Sequence, residues 1–125
     1  MDAPGSPPRI ELIAVDGPPR PCIRLRRGDQ HVDADVSPTG DLLQGVAETT
    51  LDAVVELLPQ AVTLSLEQLH VLASPRPVVV VVVLVTVAGV GIPHTGSALV
   101  GEQPELAAAK ATLAAINRRL EILPT

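Results

Sequence analysis

The residues of this chain best suited to metal binding are three histidines and a single cysteine: His31, His70, His94 and Cys22. A protein zinc site usually takes two of its ligands from one short motif, with a spacing such as C-x-x-C or H-x-x-x-H. No two of these four residues have such a spacing. The sequence therefore predicts neither a metal site nor a cofactor.

Residues that could support nucleophilic or phosphate chemistry also occur, but without the motifs that such chemistry needs. Ser97, His94 and either Asp33 or Asp35 are the residue types of a nucleophile triad, yet no glycine-flanked serine elbow is present. The segment Gly89-Val90-Gly91 begins like a dinucleotide fingerprint, but His94 occupies the position of the third glycine and no helix follows. The sequence thus favours a non-catalytic protein over an enzyme.

The length of 125 residues and the composition indicate one domain with an aliphatic core. Hydrophobic residues make up 46% of the chain, and none of them is Phe, Tyr or Trp. The net charge of -5 repels phosphate backbones, and bases have no aromatic side chain on which to stack. We therefore expect no nucleic-acid partner.

Cys22 is the only cysteine, so no internal disulfide can form, and a single thiol fits a reducing, cytoplasmic compartment. Residues 1–9 are rich in Pro and Gly and have no basic segment followed by an apolar one, unlike a secretory signal. We expect them to form a disordered leader before a single domain at 10–125.

The chain looks like one structural unit written twice. Three stretches of the first half recur in the same order in the second: Pro19-Arg20-Pro21 and Pro75-Arg76-Pro77, then Ala34-Asp35-Val36 and Ala98-Leu99-Val100, then residues 47–54 and 109–116. Three matched stretches in one order favour an internal duplication, with repeats at 10–59 and 62–124.

Each repeat predicts three strands followed by one helix. Alternating or β-branched segments bounded by turn residues indicate strands, and apolar residues recurring every three or four positions indicate helices. Thr39 or Asp41 is expected to cap the first helix, and Pro104 to open the second. The predicted strands are 10–15, 22–26, 31–36, 62–72, 78–87 and 97–100, with a start near His94 as the alternative for the last strand. Residues 89–93 are expected to kink or end the fifth strand, and the predicted helices begin near 43 and 104. The fold class is α+β: a duplicated βββα unit with antiparallel sheets and one helix per repeat.

The run of six valines at 78–83 is the most extreme local feature. It is too short for a membrane helix, and its β-branched residues favour a strand. One interpretation is a central strand buried on both faces. The other is a strand whose outer face meets another protomer, with Val78, Val80, Val82 and Leu84 at the interface.

Two segments that connect a strand to a helix are the predicted ligand-binding loops. Backbone N–H groups at a helix N-terminus can receive a carboxylate or another small anion. The candidate residues are Ser37, Thr39, Gly40 and Asp41 in the first half and Gly101, Glu102 and Gln103 in the second. The alternative is that both segments are ordinary capped loops.

The repeated βββα unit resembles the C-terminal regulatory domain of 2-isopropylmalate synthase and related acyl-transferring synthases. The closest local likeness is the segment 105–118, which is similar to that family's closing helix in its small residues and its final Asn117-Arg118 pair. The resemblance implies a pseudo-twofold allosteric domain that dimerises and binds an end-product amino acid between domains. Without the catalytic barrel, this chain would be a free-standing relative.

These observations predict a small regulatory domain that homodimerises, or forms a larger homo-oligomer, and binds a small polar metabolite or a partner enzyme. The alternative is an assembly or scaffold protein that self-associates through its valine-rich strand and has no ligand. Neither hypothesis includes a membrane partner.

Overall fold

The computed structural model of the chain describes residues 9–17, 19–37, 40–58, 61–73 and 75–120, with only the backbone described at 118–120. Residues 1–8 of the predicted leader and Thr39, one of the predicted ligand-binding residues, lie outside the described residues.

The described chain forms three strands and a helix twice in succession, which confirms the duplicated α+β layout. In chain order the elements are β1 (Ile10–Asp16), β2 (Cys22–Arg27), β3 (Gln30–Asp35), α1 (Leu42–Leu57), β4 (Val62–Leu72), β5 (Val78–Val87), β6 (Val90–Leu99) and α2 (Pro104–Leu120). The strands form two separate antiparallel sheets, β1-β2-β3 and β4-β5-β6, each in chain order. Asp41 caps α1, because its Oδ1 accepts a hydrogen bond from the Gln44 N–H at 3.0 Å.

Strand β6 is longer than the sequence predicts, since the segment expected to kink or end the preceding strand lies mostly inside β6. The chain reverses direction before β6, at Ala88 and Gly89. Their φ angles of 53° and 81° are those of a tight hairpin turn. Gly91 and Pro93 are tolerated because β6 is an edge strand with only β5 beside it.

Equivalent main-chain and side-chain contacts in the two halves support the duplication. The Val36 N–H donates to the Pro21 carbonyl, and the Val100 N–H donates to the Pro77 carbonyl, each at 2.8 Å. Each helix also has a fully buried threonine whose hydroxyl donates to the carbonyl four residues earlier: Thr50 to Val46 at 2.7 Å and Thr112 to Ala108 at 2.8 Å. The two halves therefore share equivalent contacts as well as similar residue types.

The helices join the two halves around one aliphatic core. Helix α1 packs against β2, β3 and β4, whereas α2 packs against β5, β6 and β1, and the helices contact each other. Ile23 and Leu25 of the first sheet and Val79, Val81 and Val83 of the second are fully buried. Because side chains alternate across a strand, each sheet buries one face in this core and leaves the other outside.

Two side chains of the second half hold the backbone of β1. Buried Asn117 accepts a hydrogen bond from the Ile10 N–H at 3.1 Å and donates one to the Ile10 carbonyl at 3.0 Å. Asn117 lies near the C-terminal end of α2. Just before the N-terminal end of the same helix, the Gln103 side-chain amide donates to the Val15 carbonyl at 2.9 Å. Main-chain groups of this edge strand are thus paired with side chains instead of a fourth strand.

Gly96 allows α2 to lie against β6. A Cβ atom at this position would stand 2.0 Å from the Ala111 carbonyl oxygen and 2.6 Å from the Ala115 nitrogen. Both are backbone atoms of the helix, so relief would require the whole helix to move. The absence of a side chain here brings helix and strand backbones into direct contact.

We expect Gly96→Ala to lower the free energy of unfolding by about 3 kcal/mol or more, because the added methyl group overpacks a contact between two backbones. Thermal unfolding followed by circular dichroism measures this effect without an aromatic reporter. Gly101→Ala is the matched control, since nothing lies within 4 Å of its Cβ position. A Gly96→Ala melt as close to wild type as that of the control would contradict the contact.

Candidate functional site

The outer face of the second sheet has an apolar centre, and we name it the valine face. Strand register places five rows of three residues on it: Leu72, Val78 and Leu99; His70, Val80 and Ser97; Gln68, Val82 and Thr95; Ser65, Leu84 and Pro93; Thr63, Thr86 and Gly91. No Asp, Glu, Lys or Arg is among these paired residues. The exposed residue Glu67, at the β-bulge between Leu66 and Gln68, is a charged side chain on the edge strand β4 of this face.

The valine run is buried on one face, so the prediction of a central strand buried on both faces is wrong. Val79, Val81, Val83 and Val85 point into the core, whereas the alternate residues 78, 80, 82 and 84 on the valine face are only half-buried. At the end of the face, Leu72 and Leu99 remain 54% and 61% exposed, although both are large and apolar.

The outer face of the first sheet is charged, and we name it the charged face. It contains Glu11, Asp16, Cys22, Arg24, Arg26, His31, Asp33 and Asp35, as read from the strand register. Arg24 pairs with Asp33 at 2.7 Å across β2 and β3, and Arg26 pairs with Glu11 across β1 and β2. The hydrogen bond from Arg24 holds the pKa of the Asp33 carboxyl below its ordinary value. This face is solvated, and two of its arginines are paired with carboxylates across the strands.

Superposing the registers of the two sheets matches each charged pair with an uncharged one. Arg24 opposite Asp33 corresponds to Val80 opposite Ser97. In the same way, Arg26 opposite Glu11 corresponds to Val82 opposite Gln68. The duplicated sheets therefore share their inward pattern and differ most in what they present to the outside.

The end row of the charged face surrounds the one thiol with carboxylates. The Cys22 thiol donates to the Asp16 carboxylate at 3.3 Å, and Asp35 lies opposite on β3. The hydrogen bond with Asp16 raises the pKa of Cys22, with smaller contributions from desolvation and from the nearby negative charges. The corresponding row of the valine face is Leu72, Val78 and Leu99.

A shallow depression of about 540 Å³ lies beside the start of α1. Three of the predicted ligand-binding residues, Ser37, Gly40 and Asp41, line it together with side chains of α1 that include Glu48 and Asp52. The Asp41 carboxylate already accepts the Gln44 N–H, and three acidic side chains give the lining a negative charge. The depression thus favours a cationic group over the carboxylate expected from the sequence.

The second predicted loop does not contribute to this depression. Gly101, Glu102 and Gln103 are not among its lining residues, and the Gln103 amide nitrogen is bonded to the Val15 carbonyl. Among the described residues, the two loops therefore do not line this depression together. Gln103 instead has a structural contact that the sequence pattern does not reveal.

The residue types of a nucleophile triad are not assembled. His94 lies on the inward side of β6, opposite Val83, whereas Ser97 lies on the valine face opposite Val80. Asp33 belongs to the other sheet. Among the described residues, no group of three or more His, Cys, Asp or Glu side chains is placed to hold a metal ion.

Comparisons with known proteins do not place a functional site on this chain. No protein-family model matches the sequence, and no curated protein matches it. Within the described residues, neither helix has the length and apolarity needed to cross a membrane. The candidate site therefore rests on the geometry and charge of the two outer sheet faces.

We expect Cys22 to react with iodoacetamide at pH 8 more slowly than an unperturbed thiol, because its raised pKa leaves less thiolate. Asp16→Asn should speed the reaction and move its pH profile to lower pH. Asp35→Asn is the control and should have a smaller effect, since Asp35 contributes less to the raised pKa. An unchanged rate in folded Asp16→Asn would contradict this assignment.

Proposed function

We propose that this chain is a non-catalytic module that forms a homodimer through the valine face and acts as a regulatory or assembly domain. The observation that carries the proposal is the contrast between the two sheets. Charged pairs cover the outer face of the first, and the equivalent positions of the second hold uncharged residues. A contiguous apolar stripe on an outer face is typical of an interaction site and not of a surface exposed only to water.

The dimensions of the valine face suit a second copy of the chain. Strands about 4.8 Å apart, with ten residues at about 3.3 Å each, give a three-stranded footprint of roughly 480 Å². Two such faces cover roughly 1,000 Å² in projection. Side chains that project from the sheets add to this area, so the buried area approaches the roughly 1,200 Å² at the lower end of stable interfaces.

Self-pairing also suits the chemistry of the face. Its paired rows contain no Asp, Glu, Lys or Arg, and Glu67 lies on its edge strand, so two copies meet with little like-charge repulsion and need no oppositely charged partner. Ser and Thr residues flank the central stripe on β4 and β6 and supply hydrogen bonds at the rim. The resemblance to the regulatory domain of 2-isopropylmalate synthase supports the same proposal, because such domains dimerise.

We expect Thr95→Lys to weaken the dimer, because Thr95 lies in the middle row of the valine face and the substitution buries two like charges at the interface. A cost of about 3 kcal/mol corresponds to a roughly 100-fold rise in the dimer dissociation constant. Sedimentation with interference optics measures this constant without aromatic absorbance.

His31→Lys is the matched control, because His31 lies opposite Arg26 as Thr95 lies opposite Val82. It adds the same charge to the first sheet and should leave the dimer unchanged. A wild-type chain that sediments as a monomer at high concentration would refute the proposed interface. Equal weakening by both substitutions would refute it as well.

Ligand binding beside α1 is the second candidate function. The observation that favours it is that three of the predicted ligand-binding residues, Ser37, Gly40 and Asp41, line one depression. With Glu48 and Asp52 on the same lining, the facing group of the ligand would be an amine or another cation. The family resemblance, in which an amino acid is bound, is compatible with a ligand of this kind.

We expect the thermal midpoint to rise with small amines and not with matched carboxylates, since a ligand at 100 times its dissociation constant adds about 2.7 kcal/mol of stability. Asp52→Asn should abolish the shift. Glu56→Gln should retain it, because Glu56 is exposed on the same helix outside the depression. A flat response to both compound classes would exclude this candidate and leave the dimer proposal intact.

A further inference from the structure

The first sheet has the same strand order as the second, so it offers the protein a second place to stack. Its outer face is smaller, because β1, β2 and β3 have only six or seven residues each. It is nevertheless open, since the side chains of Arg24 and Asp33 are 54% and 64% exposed. What separates the two faces is their charge.

The charged pairs of the first sheet oppose stacking at this face. Covering Arg24, Asp33, Arg26 and Glu11 with a second sheet would remove four charged groups from water, and desolvation of ion pairs can cost more than their attraction returns. At the end row, Asp16 and Asp35 lie on either side of Cys22, which gives that end of the face a net negative charge.

We infer that the charged face is the device that stops self-association at two copies. The inference rests on the proposed dimer through the valine face. An interface that uses the same patch on both partners closes after one contact, whereas a second adhesive face on each protomer would join dimers into a longer chain. The duplication supplies two sheets. Because one of them is charged on its outer face, each protomer keeps a single face that can self-associate, and its partner there is a second copy of the chain.

The two sheets supply the residues for the test. Transferring the valine-face residues to the first sheet gives the fourfold variant Glu11→Gln, Arg24→Val, Arg26→Val and Asp33→Ser. Each change installs the residue found at the matching register position of the second sheet. Light scattering and sedimentation across a 100-fold concentration range report the mass of the wild type and the variant.

We expect a wild type of constant dimer mass and a fourfold variant whose mass grows with concentration beyond the dimer. Adding Val80→Arg and Ser97→Asp to the variant places a charged pair on the valine face and should return the mass to that of a dimer. This return separates specific stacking from general aggregation. The milder variant Arg24→Val with Asp33→Ser keeps the Arg26–Glu11 pair and serves if the fourfold variant does not fold.

The outcomes distinguish the inference from the proposal beneath it. A dimeric wild type with folded variants that also remain dimers overturns the inference and leaves the valine-face dimer standing. A wild type that already grows beyond the dimer overturns the inference and favours the scaffold hypothesis. A monomeric wild type overturns both. Growth of the variants that the added Arg–Asp pair does not reverse also counts against the inference.

Discussion

The contact between Gly96 and the backbone of α2 is the constraint on which the rest of the structure depends. It sets how deeply the second helix lies on its sheet, and the small buried residues Ala107, Ala111 and Ala115 are compatible with that depth. From this position α2 reaches across to the first half, where Asn117 and Gln103 hold β1. The placement of the first sheet thus follows from a close approach within the second.

The two repeats have kept the features that face inward and changed those that face outward. Thr50 and Thr112 make the same buried hydrogen bond in their helices, because a polar group in the core must be satisfied there in either repeat. Outer positions have no such requirement, and their residues respond only to what lies beyond the sheet. The difference between Arg24 and Val80 is therefore more informative about function than any feature the repeats share.

Much of the fold could be predicted from local patterns. The bounds predicted for β4 and β5 agree with the structure, because long β-branched and apolar segments end there at turn residues. The predicted length of β6 is too short, because Gly91 and Pro93 usually break strands. They are acceptable here because β6 is an edge strand, which the sequence pattern does not reveal. Asn117 pairs with a residue 107 positions away, so no local pattern could reveal that contact.

The candidate site was only partly predictable. The predicted interface residues Val78, Val80, Val82 and Leu84 do share one outer face, but they supply only one of the three residues in each of four rows. The contrast with the first sheet requires the two halves to be aligned residue by residue. That alignment is obscured by bulges that fall at different places, beside Leu12 in β1 and beside Leu66 in β4. The depression beside α1 includes residues of a predicted ligand-binding loop, whereas two of its three acidic side chains, Glu48 and Asp52, belong to helix positions further along the chain.

The hydrogen bonds between Asn117 and Ile10 have a consequence for how the protein is made. Strand β1 is synthesised well before Asn117, the α2 residue that pairs with its backbone. A nascent chain can form the β2–β3 hairpin and α1 early, but β1 keeps an open edge until α2 emerges. Such long-range closure slows folding, and open strand edges invite pairing with other chains in the interval. The same bond that joins the halves in the native state therefore defines a vulnerable period during synthesis.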